Sequence, residues 1–246
     1  MTPSAPVALV TGAARRIGAA IARRMHADGY RVLIHYGQSR TDATALAATL
    51  NALRADSADA VHADLADFDR LPELIAQTVG RFGRLDALVN NASTFFPTPF
   101  GSTTPQHWQT LFDSNVRAPF FLAQAAAPHL RASAGGIVNI SDVYATRALP
   151  QHAAYTMSKA ALEQMTRALA VELAPQVRVN AVAPGAILWP ENGKSDAECQ
   201  AILQRVPQAR TGSPEDIADA VGWLLGGAGY VTGQIIRIDG GRSVLA

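Results

Sequence analysis

Short apolar runs recur along the whole chain, each followed by a longer amphipathic segment, and this alternation constrains the fold more than any other feature. The runs are VALVT at 7–11, RVLIHY at 31–36, DALVNN at 86–91, GIVNIS at 136–141, VRVNAVAP at 177–184 and IIRID at 235–239. Bounded by Gly, Pro and polar residues, they read as strands covered on both faces. Segments 16–28, 41–54, 69–82, 105–131, 151–174 and 214–225 read as helices. In the first of these, Ile17, Ala20, Ile21 and Met25 fall at helical spacing, and Gly29 follows where a left-handed cap is expected. Ser213 and Pro214 suit the cap and first residue of the last one. Repeated βα alternation predicts an α/β fold: a single-domain, Rossmann-like, doubly wound parallel sheet with helices on both faces. Its ligands bind beyond the carboxyl ends of the strands.

At 246 residues the chain fits one such domain, 1–246. A hydrophobic content of 48% with a net charge of +1 gives no basic excess to attract nucleic acid or anionic lipid. No stretch approaches the ~20 apolar residues that span a bilayer, and the N-terminus lacks a basic flank with a long apolar region, so a cytoplasmic protein is expected. Cys199 is alone, which leaves no intrachain disulfide, and no metal is called for. The least regular stretch, 186–200, lies after a strand's carboxyl end inside a substrate loop around 186–205. There it suits a lid better than a passive excursion.

VALVTGAARRIGAAIA places Gly12 just after the first strand and Gly18 at the start of the first helix. A turn without Cβ obstruction lets a pyrophosphate approach the helix's unpaired amides, and the Thr11 hydroxyl is placed to brace it. An acid at the end of the second strand would accept from an adenosine ribose diol; the run HYGQSRTD has none there, and Asp42 is too far on. His35, Tyr36, Ser39 and Arg40 instead offer donors and one fixed positive charge, which suits the 2′-phosphate of NADP. Asp64 and Leu65 after the third strand, and Asn91 and Ala92 after the fourth, are candidate neighbours of the adenine and its surroundings. Tyr155 and Lys159, one of only two lysines, share a face of one helix at i, i+4. An ammonium there lowers and orients a phenol for proton donation.

In the order TGAARRIG, NNAS, Asn115, YTMSK and RVNAVAPG, the chain resembles the short-chain dehydrogenase/reductase family over nearly its whole length. The resemblance implies Tyr155 as proton donor, Lys159 binding the nicotinamide ribose and lowering the tyrosine pKa, and Asn115 supporting a water-mediated proton relay. It implies further cofactor contacts at Arg16, Ile17, Gly18 and Ser93, with Pro184 and Gly185 flanking the nicotinamide.

Three departures narrow the resemblance to the pteridine reductase branch, which reduces pterins and folates with NADPH. Arg16 stands where most members have a middle glycine, Asp142 where most have a serine, and NNASTFFPTPF where most read NNAG. Carried over, Asp142 is catalytic, while Ser93, Phe95 and Arg16 contact the pterin, Phe95 by stacking. Gln38 replaces one basic residue of the 2′-phosphate loop. A flat, electron-poor pterin suits a nicotinamide on one face and an aromatic ring on the other. An ionised Asp142 would raise the Tyr155 pKa against the effect of Lys159, making a coupled site. Leu188 and Trp189 suit closure over substrate, and Phe96 and Phe100 suit anchoring in the loop. Arg242 suits a subunit contact in a homotetramer, the assembly common in the family. The alternatives are a carbonyl reductase, such as a 3-oxoacyl thioester reductase, and a non-catalytic NADP-sensing regulator.

Overall fold

Apolar strands too short to fold alone are here paired into one sheet. A computed structural model describes residues 5–189 and 195–245. Seven strands among them, β1 (Val7–Val10), β2 (Arg31–Tyr36), β3 (Ala58–His62), β4 (Ala87–Asn90), β5 (Gly136–Ile140), β6 (Arg178–Pro184) and β7 (Ile235–Ile238), lie in the order β3-β2-β1-β4-β5-β6-β7. Every pairing is parallel. The order reverses between β1 and β4, which is where a crevice opens beyond the strand ends.

Period-two alternation sends β1 to two cores. Ala8 and Val10 pack with Ile21 and Met25 of α1 (Arg16–Ala27), Leu46 and Leu50 of α2 (Arg40–Leu53), and Ile217 and Val221 of α8 (Pro214–Gly226). Val7 and Leu9 pack on the opposite face with Leu74 of α3 (Leu71–Phe82), Leu122 of α5 (Ala118–Ser133) and Leu173 of α6 (Ala153–Leu173). The fold is the expected doubly wound one. Gly29 takes its left-handed φ of 95° after α1, and the Ser213 hydroxyl accepts from the Asp216 amide ahead of Pro214.

Two segments depart from the sequence reading. The single helix expected over 105–131 is α4 (Pro105–Phe112), then a π-helical turn at Asp113–Arg117, then α5. Wide turns of this kind cluster at functional sites, and this one carries Asn115. The irregular stretch also ends early, because α7 (Asp196–Leu203) begins at a capping box in which Ser195 and Glu198 satisfy each other's amides. Residues 190–194, the middle of the expected lid, lie outside the described residues.

Candidate active site

The cofactor end is built on close backbone approach. Gly12 has φ of 59°, and a Cβ on it would sit 3.0 Å from the Ala92 Cα. A Cβ on Gly18 would lie 2.3 Å from the Gly12 carbonyl and 2.6 Å from Asn91 Nδ2. The Thr11 hydroxyl accepts from the amides of Asn91 and Ala92, both at 3.0 Å, and Asn91 Nδ2 donates to the carbonyls of Thr11 and Gly12 at 2.9 and 3.0 Å. These bonds lock the ends of β1 and β4 side by side at the point where the strand order reverses. Arg16 has φ of 54°. A left-handed residue with a Cβ costs about 1–2 kcal/mol, which explains why glycine is usual at this position and marks Arg16 as held there by its surroundings.

A cleft of about 420 Å³ runs beside this turn, lined among others by Gly12, Arg15, Ile17, Gly18, Tyr36 and Ser39, with Asn91, Ala92 and Ser93 at its inner end. No side chain caps the start of α1, and amides of its first turn have no partner within a helix. A glycine cradle, helix-start amides and flanking arginine charge fit a dinucleotide diphosphate.

His35 and Arg40 are placed differently from the sequence reading. The side chain of His35 faces inward, 2% exposed, with Nδ1 accepting from the Gly12 amide at 3.1 Å and Nε2 bonded to the Ala63 carbonyl at 3.1 Å. Neither ring nitrogen is left for a phosphate; burial pushes the imidazole down to about 4. Arg40 stands exposed as the first residue of α2, outside the cleft lining, whereas Arg15 lines it and pairs with Asp42 at 3.7 Å. Arg15, the neighbour of the singled-out Arg16, is the cation that the sequence reading missed. Tyr36 stays at the cleft, packed 5.5 Å from the His62 ring. Asp64 spends Oδ1 on the Ala66 amide as a turn, beside partly buried Leu65.

Beyond β5 and along α6 lies a second group. Tyr155, 4% exposed, packs with Leu111, Ala154 and Phe96, and its hydroxyl donates to Asp142 Oδ2 at 2.8 Å. Asp142 Oδ1 accepts from the Tyr144 amide at 2.9 Å, so the carboxylate is held from both sides. Burial raises the Asp142 pKa, opposed by the Tyr144 amide, the Tyr155 hydroxyl and the charges of Lys159 and Arg242. Burial, then the Asp142 charge and hydrogen bond, hold Tyr155 well above its ordinary value. Lys159 Nζ donates to the Ile140 carbonyl at 2.9 Å and stands 5.9 Å from the Tyr155 ring centre. Burial lowers it to about 8, with Asp142 opposing. The expected lowering of Tyr155 by Lys159 is therefore outweighed: the acid touches the phenol, while the ammonium is turned to a main-chain carbonyl.

Asn115 is 1% exposed. Its Oδ1 accepts from the Ser93 hydroxyl at 2.9 Å and the Thr94 amide at 3.0 Å, and its Nδ2 donates to the Thr94 carbonyl at 3.1 Å and the Ser158 hydroxyl at 3.0 Å. These four bonds use the whole capacity of the amide. The side chain thus braces the 93–95 loop against α6, so a water relay at Asn115 would have to use its main-chain groups.

Phe95, 53% exposed, meets the Tyr155 ring edge-on at 4.7 Å and stacks on His152 at 4.7 Å. No motif flagged His152; its place three residues before Tyr155, at the start of α6, is the signal that was available. Phe96 packs as the anchor expected, whereas the Phe100 side chain is fully exposed. Arg16 Nη2 reaches the Trp189 carbonyl at 3.4 Å, bringing the phosphate turn to the loop after β6, where Leu188 is 39% exposed. Pro184 ends β6 and Gly185 follows it, and a Cβ on Gly185 would lie 2.6 Å from that of Asp239. Arg242 bonds within its own chain, donating to the Tyr144 hydroxyl at 2.6 Å.

A glycine turn at the sheet's reversal point, with a tyrosine and a lysine on the helix across the crevice, defines an oxidoreductase of the dinucleotide-binding α/β class. A family model described as enoyl-(acyl carrier protein) reductase matches residues 12–243. Pteridine reductase 1 of Leishmania tarentolae is 39% identical, covering 99% of this chain and 98% of its own. A 3-oxoacyl-(acyl-carrier-protein) reductase of Synechocystis is also 39% identical, with 97% of each chain covered, and one of Staphylococcus aureus is 38% identical over 95% and 96%. The chain belongs to the short-chain dehydrogenase/reductase family.

Proposed function

We propose that the protein is an NADPH-dependent pteridine reductase, acting on dihydropterin and also on oxidised pterin or dihydrofolate. Overall identity does not separate this from 3-oxoacyl thioester reduction, since relatives of both names stand at 39%. The observation that carries the reading is the hydrogen bond from the Tyr155 hydroxyl to a buried Asp142. A ketone oxygen needs donors, and a carboxylate in that place offers it only repulsion. The edge of a pterin presents N–H groups, which an ionised Asp142 accepts.

Bound NADPH would supply hydride to the carbon of a ring C=N bond, turning it into CH–NH. Tyr155 gives the proton to the nitrogen, and its raised pKa keeps that proton in place until negative charge develops there. Asp142 orients the donor and shares the proton inventory of the site. Lys159 supplies the local positive charge. Phe95 offers a ring face to the pterin, displacing His152 from its stack, while Leu188 and Trp189 exclude water. Arg15, Tyr36 and Ser39 hold the adenosine end; the second strand ends without an acid, and Arg15, released from its exposed pair with Asp42, meets the 2′-phosphate of NADP.

The protein acts as a homotetramer in the cytoplasm on this reading. An apolar groove of about 520 Å³ between α5 and α6, with Phe120 and Phe121 40% and 37% exposed, is the face a second copy would cover. No described helix is long and apolar enough to cross a membrane. NADPH oxidation followed by absorbance with biopterin, dihydrobiopterin, dihydrofolate and acetoacetyl thioester tests the activity. Turnover of the pterins is expected, and turnover of the thioester alone refutes the reading. NADH used in preference to NADPH refutes the cofactor assignment.

A further inference from the structure

His35 is the next-to-last residue of β2, where the sequence suggested a phosphate ligand, yet its ring is enclosed by protein on both edges. A main-chain N–H can only donate, so the contact with Gly12 leaves Nδ1 as the bare nitrogen. The proton is then on Nε2, and that group donates to the Ala63 carbonyl. The main-chain carbonyl of His35 also accepts from the Ala13 amide at 2.9 Å. One residue therefore holds two consecutive peptides of the phosphate turn and the first peptide after β3.

We propose that His35 is a positioning residue of the dinucleotide site: as the Nε2–H tautomer it fixes the Gly12 peptide and couples the phosphate turn to the loop after β3. Without an acceptor at Nδ1, the part-buried Gly12 amide loses its partner on the protein side, and rotation of that peptide toward a new partner becomes favourable. The next peptide, whose Gly12 carbonyl is used by Asn91, is held through its Ala13 amide by the His35 carbonyl. Burial keeps the ring neutral at ordinary pH, with His62 the other titratable group acting on it. A protonated ring would turn a donor toward the Gly12 amide and break the arrangement.

The inference rests on reading the cleft as the NADP site, and the first arm of its test, binding, is made without substrate. NADPH affinity is measured by fluorescence titration for the wild type, His35→Leu, which removes both polar atoms, and His35→Asn, whose Oδ1 replaces Nδ1. The loss of one buried hydrogen bond at the turn predicts about a tenfold weaker Kd for the leucine variant, with most of it recovered by asparagine. KM for NADPH rises by a similar factor while kcat at saturation stays within about twofold, a split that general destabilisation does not produce. A folded leucine variant that binds NADPH as the wild type does overturns the proposal. If the leucine variant does not fold, nitrogen NMR of the imidazoles in the wild type decides instead, and an Nδ1–H tautomer at His35 overturns it. Wild type that binds NADPH but reduces no pterin sinks the pterin reading and leaves this inference standing.

Discussion

Lowering the pH should destabilise the cofactor-free protein through His35 well before ordinary carboxylates protonate. The ring titrates near 6.5 in an unfolded chain and at about 4 in the fold, because burial disfavours its charged form. The unfolded state therefore takes up the proton first. Stability due to the neutral ring is fully present above 6.5 and is lost as pH falls from there toward 4. That window of about two and a half pH units, at about 1.4 kcal/mol per unit, amounts to about 3 kcal/mol. Such a loss is large beside the roughly 5–15 kcal/mol that holds a domain folded. His26, also lowered by burial and by Arg54, titrates in the same direction, so the comparison must be with a variant that keeps it. Urea unfolding of wild type and His35→Asn, at fixed protein concentration and at intervals from about pH 4.5 to 7.5, isolates the contribution. The stability advantage of the wild type should shrink steadily as pH falls. A difference between the two proteins that does not change with pH would refute the burial argument, as would a wild-type advantage that grows in acid.

Asp142→Asn removes the one charge that raises Lys159 against burial, so the lysine should titrate below its present value of about 8. The alkaline limb of the pH–rate profile then moves to lower pH, with kcat for dihydropterin down by about a hundredfold. An unmoved limb would show that the two groups are not coupled. Tyr155→Phe should lower kcat by about 10²–10⁴ while leaving the Kd for NADPH nearly unchanged, measured by single-turnover kinetics and titration. Gly18→Ala places a methyl group 2.3 Å from the Gly12 carbonyl. It should cost about 1–3 kcal/mol in urea unfolding and weaken NADPH binding along with it.

The sheet was legible because strands such as β1 and β6 are almost wholly apolar and bounded by turn residues, a pattern that tertiary structure rarely overrides. The run ADAVH of β3 carries Asp59 and an exposed His62, and so gave little local signal. Asn115 was legible as a site residue, but the π-helical turn around it was not, since 105–131 reads as one helical segment with no break signal at 113–117. The helix α7 went unread, although SDAE at 195–198 carries a capping-box pattern within a stretch that otherwise reads as polar loop. Among site residues, Tyr155 and Lys159 lie on one helix as their spacing implied, and Asp142, which only the resemblance brought in, bonds to the tyrosine. His35 did not behave as a surface donor, because which way an imidazole faces depends on the neighbouring turn, and no periodicity carries that. The same holds for His152, whose stack on Phe95 joins two loops distant in sequence.

On the proposed reading, an acid beside Tyr155 selects a pterin over a ketone. The most direct test is the ratio of kcat/KM for dihydrobiopterin to that for acetoacetyl thioester, measured with NADPH in the wild type and in Asp142→Ser. A ratio well above one is expected in the wild type and a fall of about a hundredfold in the serine variant, as a buried charged hydrogen-bond partner is lost to the pterin. A wild-type ratio below one, or a ratio that the substitution leaves unchanged, would contradict it.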